Sequence, residues 1–165
     1  MGGRITLVLY WALPLAILFL ALPFFVLDTH LAWYSFPLDD AWIHRVYSES
    51  LAEGRGFAYN DEQEAGFTSP LWALITAPAH WFSPQWGVPI VKLAGALLAV
   101  VIAACATCLG TKISGSRVVG LVGGCLLMID PRGLFVIFSG MESGLLLVLW
   151  LGAILALVRE NTMCR

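Results

Sequence analysis

The sequence predicts an all-α membrane protein of about four transmembrane helices, with an outer loop that carries amphipathic juxtamembrane helices. Three observations lead there. Only 12% of the 165 residues are charged while 59% are hydrophobic, and a soluble domain typically carries about 25% charged residues. The apolar residues are gathered into long runs. Eight of the eleven acids (Asp28, Asp39, Asp40, Glu49, Glu53, Asp61, Glu62 and Glu64) lie between residues 28 and 64, which marks that segment as the polar part of the chain.

The first apolar run, Ile5 to Leu27, would be roughly 35 Å long as a helix, enough for a hydrocarbon core of about 30 Å. Arg4 precedes it, as in a signal peptide. The run is longer than a signal's apolar region, however, and no small-x-small cleavage site follows Phe25-Val26-Leu27. A retained anchor is expected, with Pro14 and Pro23 tolerable inside it. Leu71 to Phe82 is about 18 Å long and contains Pro78, too short to span. Val88 to Leu109 is a second span, with Lys92 near its start. A third starts at Val118 and is interrupted by Asp130-Pro131-Arg132, and a fourth runs from Leu145 to Val158.

Positive charge sets the orientation. With Arg4 cytoplasmic and Leu71–Phe82 not crossing, the Lys112–Arg117 loop and the Arg159–Arg165 tail both fall inside. The acidic segment, residues 28–88, then falls outside. Five of the seven tryptophans (Trp33, Trp42, Trp72, Trp81 and Trp86) lie in that stretch, where an outer aromatic belt would place them. Gly120 and Gly124 form a G-x-x-x-G, as do Gly140 and Gly144, a spacing that lets helices approach closely. The C-x-x-C of Cys105 and Cys108 lies in mid-span, so it reads as small packing residues rather than a redox pair. The bases are scattered singly, which leaves no nucleic-acid footprint.

The outer segment holds the chemistry. From Asp39 to Gly54, Ile43, Val46, Tyr47, Ser50 and Leu51 share one helical face, and His44, Arg45, Glu49 and Glu53 take the other. Asp39 or Asp40 suits the N-cap and Gly54 the C-terminal stop, so an amphipathic helix on the membrane surface is expected. The pair Asp39-Asp40 has two readings. One acid caps the helix while its neighbour complements the dipole, or the two hold a divalent cation such as Mg²⁺ or Mn²⁺ or act as a base. His30 and His80 have no partner at metal spacing. Glu142, at the outer start of the last span, is either a helix-N-terminus acid or a functional carboxylate beside the membrane. Asp130 and Arg132 would pair near the interface.

Three stretches, Leu38 to Asn60 (LDDAWIHRVYSESLAEGRGFAYN), Gly66 to Leu74 (GFTSPLWAL) and Ser139 to Leu149 (SGMESGLLLVL), resemble one known family in residues, order and spacing. They are similar to the N-terminal part of GT-C-fold glycosyltransferases that use polyprenyl-phosphate sugar donors, in the style of bacterial cell-envelope mannosyl- and arabinofuranosyltransferases. The resemblance implies a partial GT-C architecture and transfer of a sugar to an acceptor hydroxyl at the outer face of the bacterial inner membrane. It gives Asp39, with Asp40 beside it, the catalytic role and the tentative metal. It also places Arg45, His44 and Glu142 around the donor or substrate. Two departures stand out: Ala65 separates Glu64 from Gly66, and family members have about twice as many spans. Residues 1–165 would thus be one membrane domain forming the first part of a larger fold, completed by further membrane helices from another chain. The rival expectation is a non-catalytic membrane fragment or subunit whose acidic loop binds a partner.

Overall fold

The computed structural model describes residues 33–59, 62–63, 67–81 and 86–163. The expected first span, His30 and the Glu64–Gly66 departure lie outside them. The described chain is helical apart from a two-stranded antiparallel ribbon, and its helices α1 to α6 follow in sequence order.

Helix α1 spans Asp39–Ala52. The expected aspartate cap is not formed: Leu38 occupies the N-cap with no side-chain bond, and both aspartates sit in the first turn, where their charge complements the helix dipole. The helix stops where expected. Gly54 takes φ 77°, its N–H bonds the Leu51 carbonyl at 3.1 Å and that of Arg55 bonds Ser50 at 2.9 Å, the paired bonds of a Schellman motif. The buried face follows the amphipathic expectation only at Tyr47 and Ser50. Ala41, His44, Tyr47, Ser48 and Ser50 point inward, while Ile43 is exposed. Small Ala41 and Ser48 let the helix come close to its neighbours, and that proximity outweighs the pull of the larger apolar residues.

Strands β1 (Ala58–Tyr59) and β2 (Glu62–Gln63) form the ribbon. The Leu71–Phe82 stretch is too short to cross a bilayer, as expected. It is divided between α2 (Pro70–Thr76) and a 3₁₀ helix, Ala77–Trp81. Pro70 at the first position fits because that N–H would lack a helical partner anyway. The 3₁₀ helix is held to α1 by Ser48 Oγ at 3.2 Å from His80 Nε2, and by Trp81 Nε1 donating to the Ala52 carbonyl at 3.3 Å. Burial lowers the His80 ring pKa from its ordinary value.

Helix α3, Gly87–Ser114, is the one described helix long and apolar enough to cross a membrane unaided. Gly115 closes it at φ 69°, and Ser116 caps α4 (Arg117–Ile129), its side chain accepting from the Val119 N–H. Helix α5, Pro131–Phe138, continues from α4 across a 63° bend, so the third expected span is broken at the Asp130-Pro131 interruption. Asp130 does not pair with Arg132 as expected. Its carboxylate caps α5, accepting from the Gly133 N–H at 2.9 Å and the Arg132 N–H at 3.4 Å. Helix α6, Ser143–Met163, has an apolar part, Ser143–Val158, of about 24 Å at 1.5 Å per residue, shorter than a full span. Of the four expected transmembrane helices, the three that fall among the described residues are one sufficient helix, one bent pair and one shorter helix.

Two apolar clusters hold these pieces together. Ala99, Ile102, Ala103, Met128, Leu134, Ile137 and Phe138 join α3, α4 and α5. Phe36, Ala41, Trp72, Ala79, Val88 and Val91 dock the α1–α2 segment onto the start of α3. Glycines set the helix spacing. A Cβ on Gly120 would overlap the Thr107 carbonyl and the Thr111 side chain, and one on Gly124 would overlap the Thr107 hydroxyl. A Cβ on Gly95 would lie 2.7 Å from the Ile137 carbonyl oxygen. The first G-x-x-x-G is thus a true close-packing seam, whereas Gly140 of the second lies in a turn at φ 90°. Gly120→Val is expected to destabilise the protein by about 1–3 kcal/mol through overpacking, seen as a lower thermal midpoint in detergent. Gly123→Ala, whose Cβ would meet nothing within 4 Å, should leave the midpoint unchanged or slightly raised.

Candidate functional site

The site forms where the three sequence stretches meet. Residues 139–142 form the turn between α5 and α6, and the start of α2 packs against that turn. Trp72, 2% exposed, donates its indole N–H to the Gly140 carbonyl at 2.8 Å. Only glycine suits position 140: its φ is 90°, and a Cβ there would run into the Phe36 ring. The Phe36 ring in turn meets Trp42 edge-on at 5.4 Å between centroids. Backbone geometry and aromatic packing together fix where the next side chains, Met141 and Glu142, emerge.

Glu142 is held from two directions. Ser69 donates its hydroxyl to Oε1 at 2.8 Å. His44 Nε2 lies 2.9 Å from Oε2, a close electrostatic contact rather than an aligned hydrogen bond. Burial would raise the Glu142 pKa, but the Ser69 hydroxyl, the residue's own backbone N–H and His44 more than offset it and hold the carboxyl below its ordinary value. His44 is 6% exposed, and its Nδ1 is buried without a hydrogen-bond partner among the described residues. Its ring meets Phe67 edge-on at 5.4 Å, and Phe67 stacks on Tyr47 at 4.1 Å.

These groups wall a cavity of about 350 Å³ lined by Asp40, Ile43, His44, Tyr47, Phe67, Thr68, Met141 and Glu142. The lining combines aromatic and apolar side chains with two carboxyls and an imidazole, a combination suited to holding a polyhydroxylated molecule and moving a proton.

Of the residues singled out from sequence, Asp40, His44 and Glu142 come together here. Asp39 lies off the cavity, because consecutive helical residues point about 100° apart and only one of the pair can face it. Arg45 is also off the cavity, its guanidinium stacked 5.2 Å above Trp42. A metal held by Asp39 and Asp40 finds little support in this arrangement. Among the described residues no three His, Cys, Asp or Glu side chains are grouped to hold an ion.

Ser69, Tyr47 and Phe67 were not singled out as site residues. Ser69 precedes Pro70, a pattern that reads as a helix start. It does occupy the N-cap of α2, yet makes no cap bond and turns its hydroxyl to Glu142. Tyr47 reads as core, and Phe67 shows its place only once α2 is docked. No family model, curated protein or solved structure matches this chain.

Because the folded Glu142 carboxyl has a lowered pKa, its contribution to stability is fully present above its ordinary value of 4.5 and is lost as pH falls below that value through the folded pKa. The thermal midpoint of the wild type should therefore drop over that acid interval. In Glu142→Gln the drop should be shallower; parallel curves would show that Glu142 carries no such linkage.

Proposed function

We propose that this chain provides the catalytic face of a membrane glycosyltransferase, which moves a sugar from a polyprenyl-phosphate donor to an acceptor hydroxyl at the outer membrane surface. One observation carries the reading. The three stretches that resemble the GT-C family, spread from Leu38 to Leu149, close on a single cavity through Ser69–Glu142, His44–Glu142 and Trp72–Gly140. Stretches retained only as membrane filler have no reason to converge on one acidic, aromatic-walled pocket.

Orientation follows the same reading. Both termini lie in the cytoplasm and residues 28–88 outside. In that topology the bent α4–α5 pair returns the chain to the outer face, so the α5–α6 turn and the outer segment must meet, and the contacts at Glu142 agree. Leu97, Val101, Leu126, Leu149, Trp150 and Leu157 point outward from the helices, a surface for lipid or for the further membrane helices that would complete a donor cavity. Trp81 and Trp86, both exposed, sit at the junction with α3, where an interfacial aromatic belt belongs.

In this mechanism the acceptor oxygen attacks the anomeric carbon. The bond from that carbon to the phosphate oxygen breaks, and its electron pair leaves with the polyprenyl phosphate. Asp40 accepts a hydrogen bond from the acceptor hydroxyl and orients it, while Tyr47 and Phe67 give the sugar an apolar ring face to lie on. Orientation of this kind can supply a large part of a rate enhancement.

The test uses membranes containing the full chain and its native partners, supplied with radiolabelled mannosyl- and arabinofuranosyl-phosphopolyprenol. Asp40→Asn should lower loss of label from the lipid fraction by about 10²-fold or more, with membrane insertion unchanged, while Asp39→Asn keeps most of the rate. Equal rates in Asp40→Asn and wild type overturn the role of Asp40. A wild type that consumes neither donor overturns glycosyl transfer from them and favours a non-catalytic subunit whose acidic loop binds a partner.

A further inference from the structure

The α4–α5 bend borders an apolar pocket of about 330 Å³ that α3, α4, α5 and α6 line together. Its apolar residues are the buried Ile102, Met128 and Ile137 and the exposed Leu127, Val136 and Leu147. Asp130, Arg132 and Ser143 are its polar members. Asp130 and Arg132 are both exposed, and they form no ion pair with each other. The Asp130 carboxylate accepts from the backbone N–H groups of Arg132 and Gly133. The Arg132 guanidinium has no ion pair among the described residues. With the Lys112–Arg117 loop in the cytoplasm, α4 rises about 20 Å from that side over its 13 residues. Both charges then stand in the outer half of a hydrocarbon core of about 30 Å. An ionised side chain there is costly unless it is paired or reaches the headgroups.

We infer that this pocket holds one outer-leaflet glycerophospholipid with a zwitterionic, ethanolamine-type headgroup. An acyl chain lies on the apolar lining, the phosphate binds Arg132 and the headgroup ammonium binds Asp130. The inference rests on the membrane orientation of the proposed function and not on sugar transfer. Charge complementarity decides the occupant. A plain hydrocarbon chain or an apolar helix would leave both charges unpartnered beside lipid. An anionic headgroup, or a polyprenyl phosphate, would answer Arg132 but add its negative charge beside Asp130. A zwitterion offers each residue the opposite sign, and its contact with Arg132 is charge-assisted. Its primary ammonium also donates hydrogen bonds, which a quaternary choline cannot do. Asp130 can accept one and still cap α5, because a carboxylate has more lone pairs than the two backbone N–H groups held here. Reach is no obstacle, since an arginine stem runs along apolar surface while its head rises to the phosphates.

The experiment strips lipid from the full chain in detergent and adds back phosphatidylethanolamine, phosphatidylglycerol or polyprenyl phosphate. Native mass spectrometry counts what stays bound. The wild type should retain one phosphatidylethanolamine, about tenfold more tightly than phosphatidylglycerol. Arg132→Gln, a change at an exposed position, should lower that retention about tenfold or more. Asp130→Asn keeps a capping side chain and should bind the two phospholipids equally. Leu147→Trp should exclude the acyl chain while leaving both charges in place. A diazirine on the acyl chain of phosphatidylethanolamine should label the peptides that hold Met128 and Val136. Equal retention of the two phospholipids by the wild type overturns the inference, and this needs no variant to fold. Unchanged retention in Arg132→Gln overturns it too, and tighter retention of polyprenyl phosphate assigns the pocket to the donor instead. None of these readouts needs turnover. A wild type that holds phosphatidylethanolamine but consumes neither sugar donor overturns the transfer reading alone.

Discussion

The arrangement of α1, α2 and the α5–α6 turn depends on one half-buried carboxylate, Glu142. Glu142 opens the last helix at a point where α1 and α2 close over it. A carboxylate removed from water without partners is costly, so any packing that covers it must bring hydrogen-bonding groups along. Ser69 supplies the hydrogen bond and His44 a close electrostatic contact. They come from stretches far apart in sequence, so satisfying one acid fixes how three segments lie against one another. The Trp72 indole on the Gly140 carbonyl answers the same requirement for the backbone beside it, since a buried carbonyl also needs a donor.

That latch can form only if the α5–α6 turn arrives at the right end of the molecule. The helix seams secure this. Glycines at 120 and 124 bring α4 against the threonine side of α3, and Gly95 admits the Ile137 backbone at the end nearer the outer segment. Between them the chain bends by 63°, where Pro131 begins a new helix and Asp130 caps it. A straight α4–α5 rod would carry residues 139–142 along a different line. The bend therefore belongs to the site as much as to the scaffold, though it carries none of the cavity's side chains.

Much of this was legible in the sequence, and the parts that were not share a cause. A helix end marked by a local residue was readable at Gly54, which acts through its own backbone, whereas the end of α3 was placed at Leu109 and lies at Ser114. The shortness of Leu71–Phe82 and the interruption at Asp130 were readable for the same reason. The inward face of α1 was not. Apolar periodicity weighs large side chains, and by that measure Ile43, Val46 and Leu51 outrank Ala41, Ser48 and His44. What decides the matter is a contact with Glu142 almost a hundred residues away, and no local pattern encodes it. Local pattern did not separate Asp39 from Asp40, and the resemblance pointed to Asp39. They separate only when α1 is docked, because the rotation between neighbouring helical positions turns one toward the cavity and the other away.

The misread face and the site are one fact seen twice. A histidine enters a helix interface readily only where its neighbours are small and its nitrogens are answered. Ala41 and Ser48, one turn to either side, supply the room. Ser48 also bonds His80, so the 3₁₀ helix closes the back of the same groove. Glu142 Oε2 lies 2.9 Å from Nε2, and neither ring nitrogen makes an aligned hydrogen bond among the described residues. Had burial alone shaped this face, an alanine or leucine at 44 would pack with no polar group to satisfy. A buried imidazole set against a half-buried carboxylate costs stability unless the two are paired, and here they stand 2.9 Å apart. That contact, rather than the paired aspartates that dominate the sequence, is where the physical argument for function is strongest.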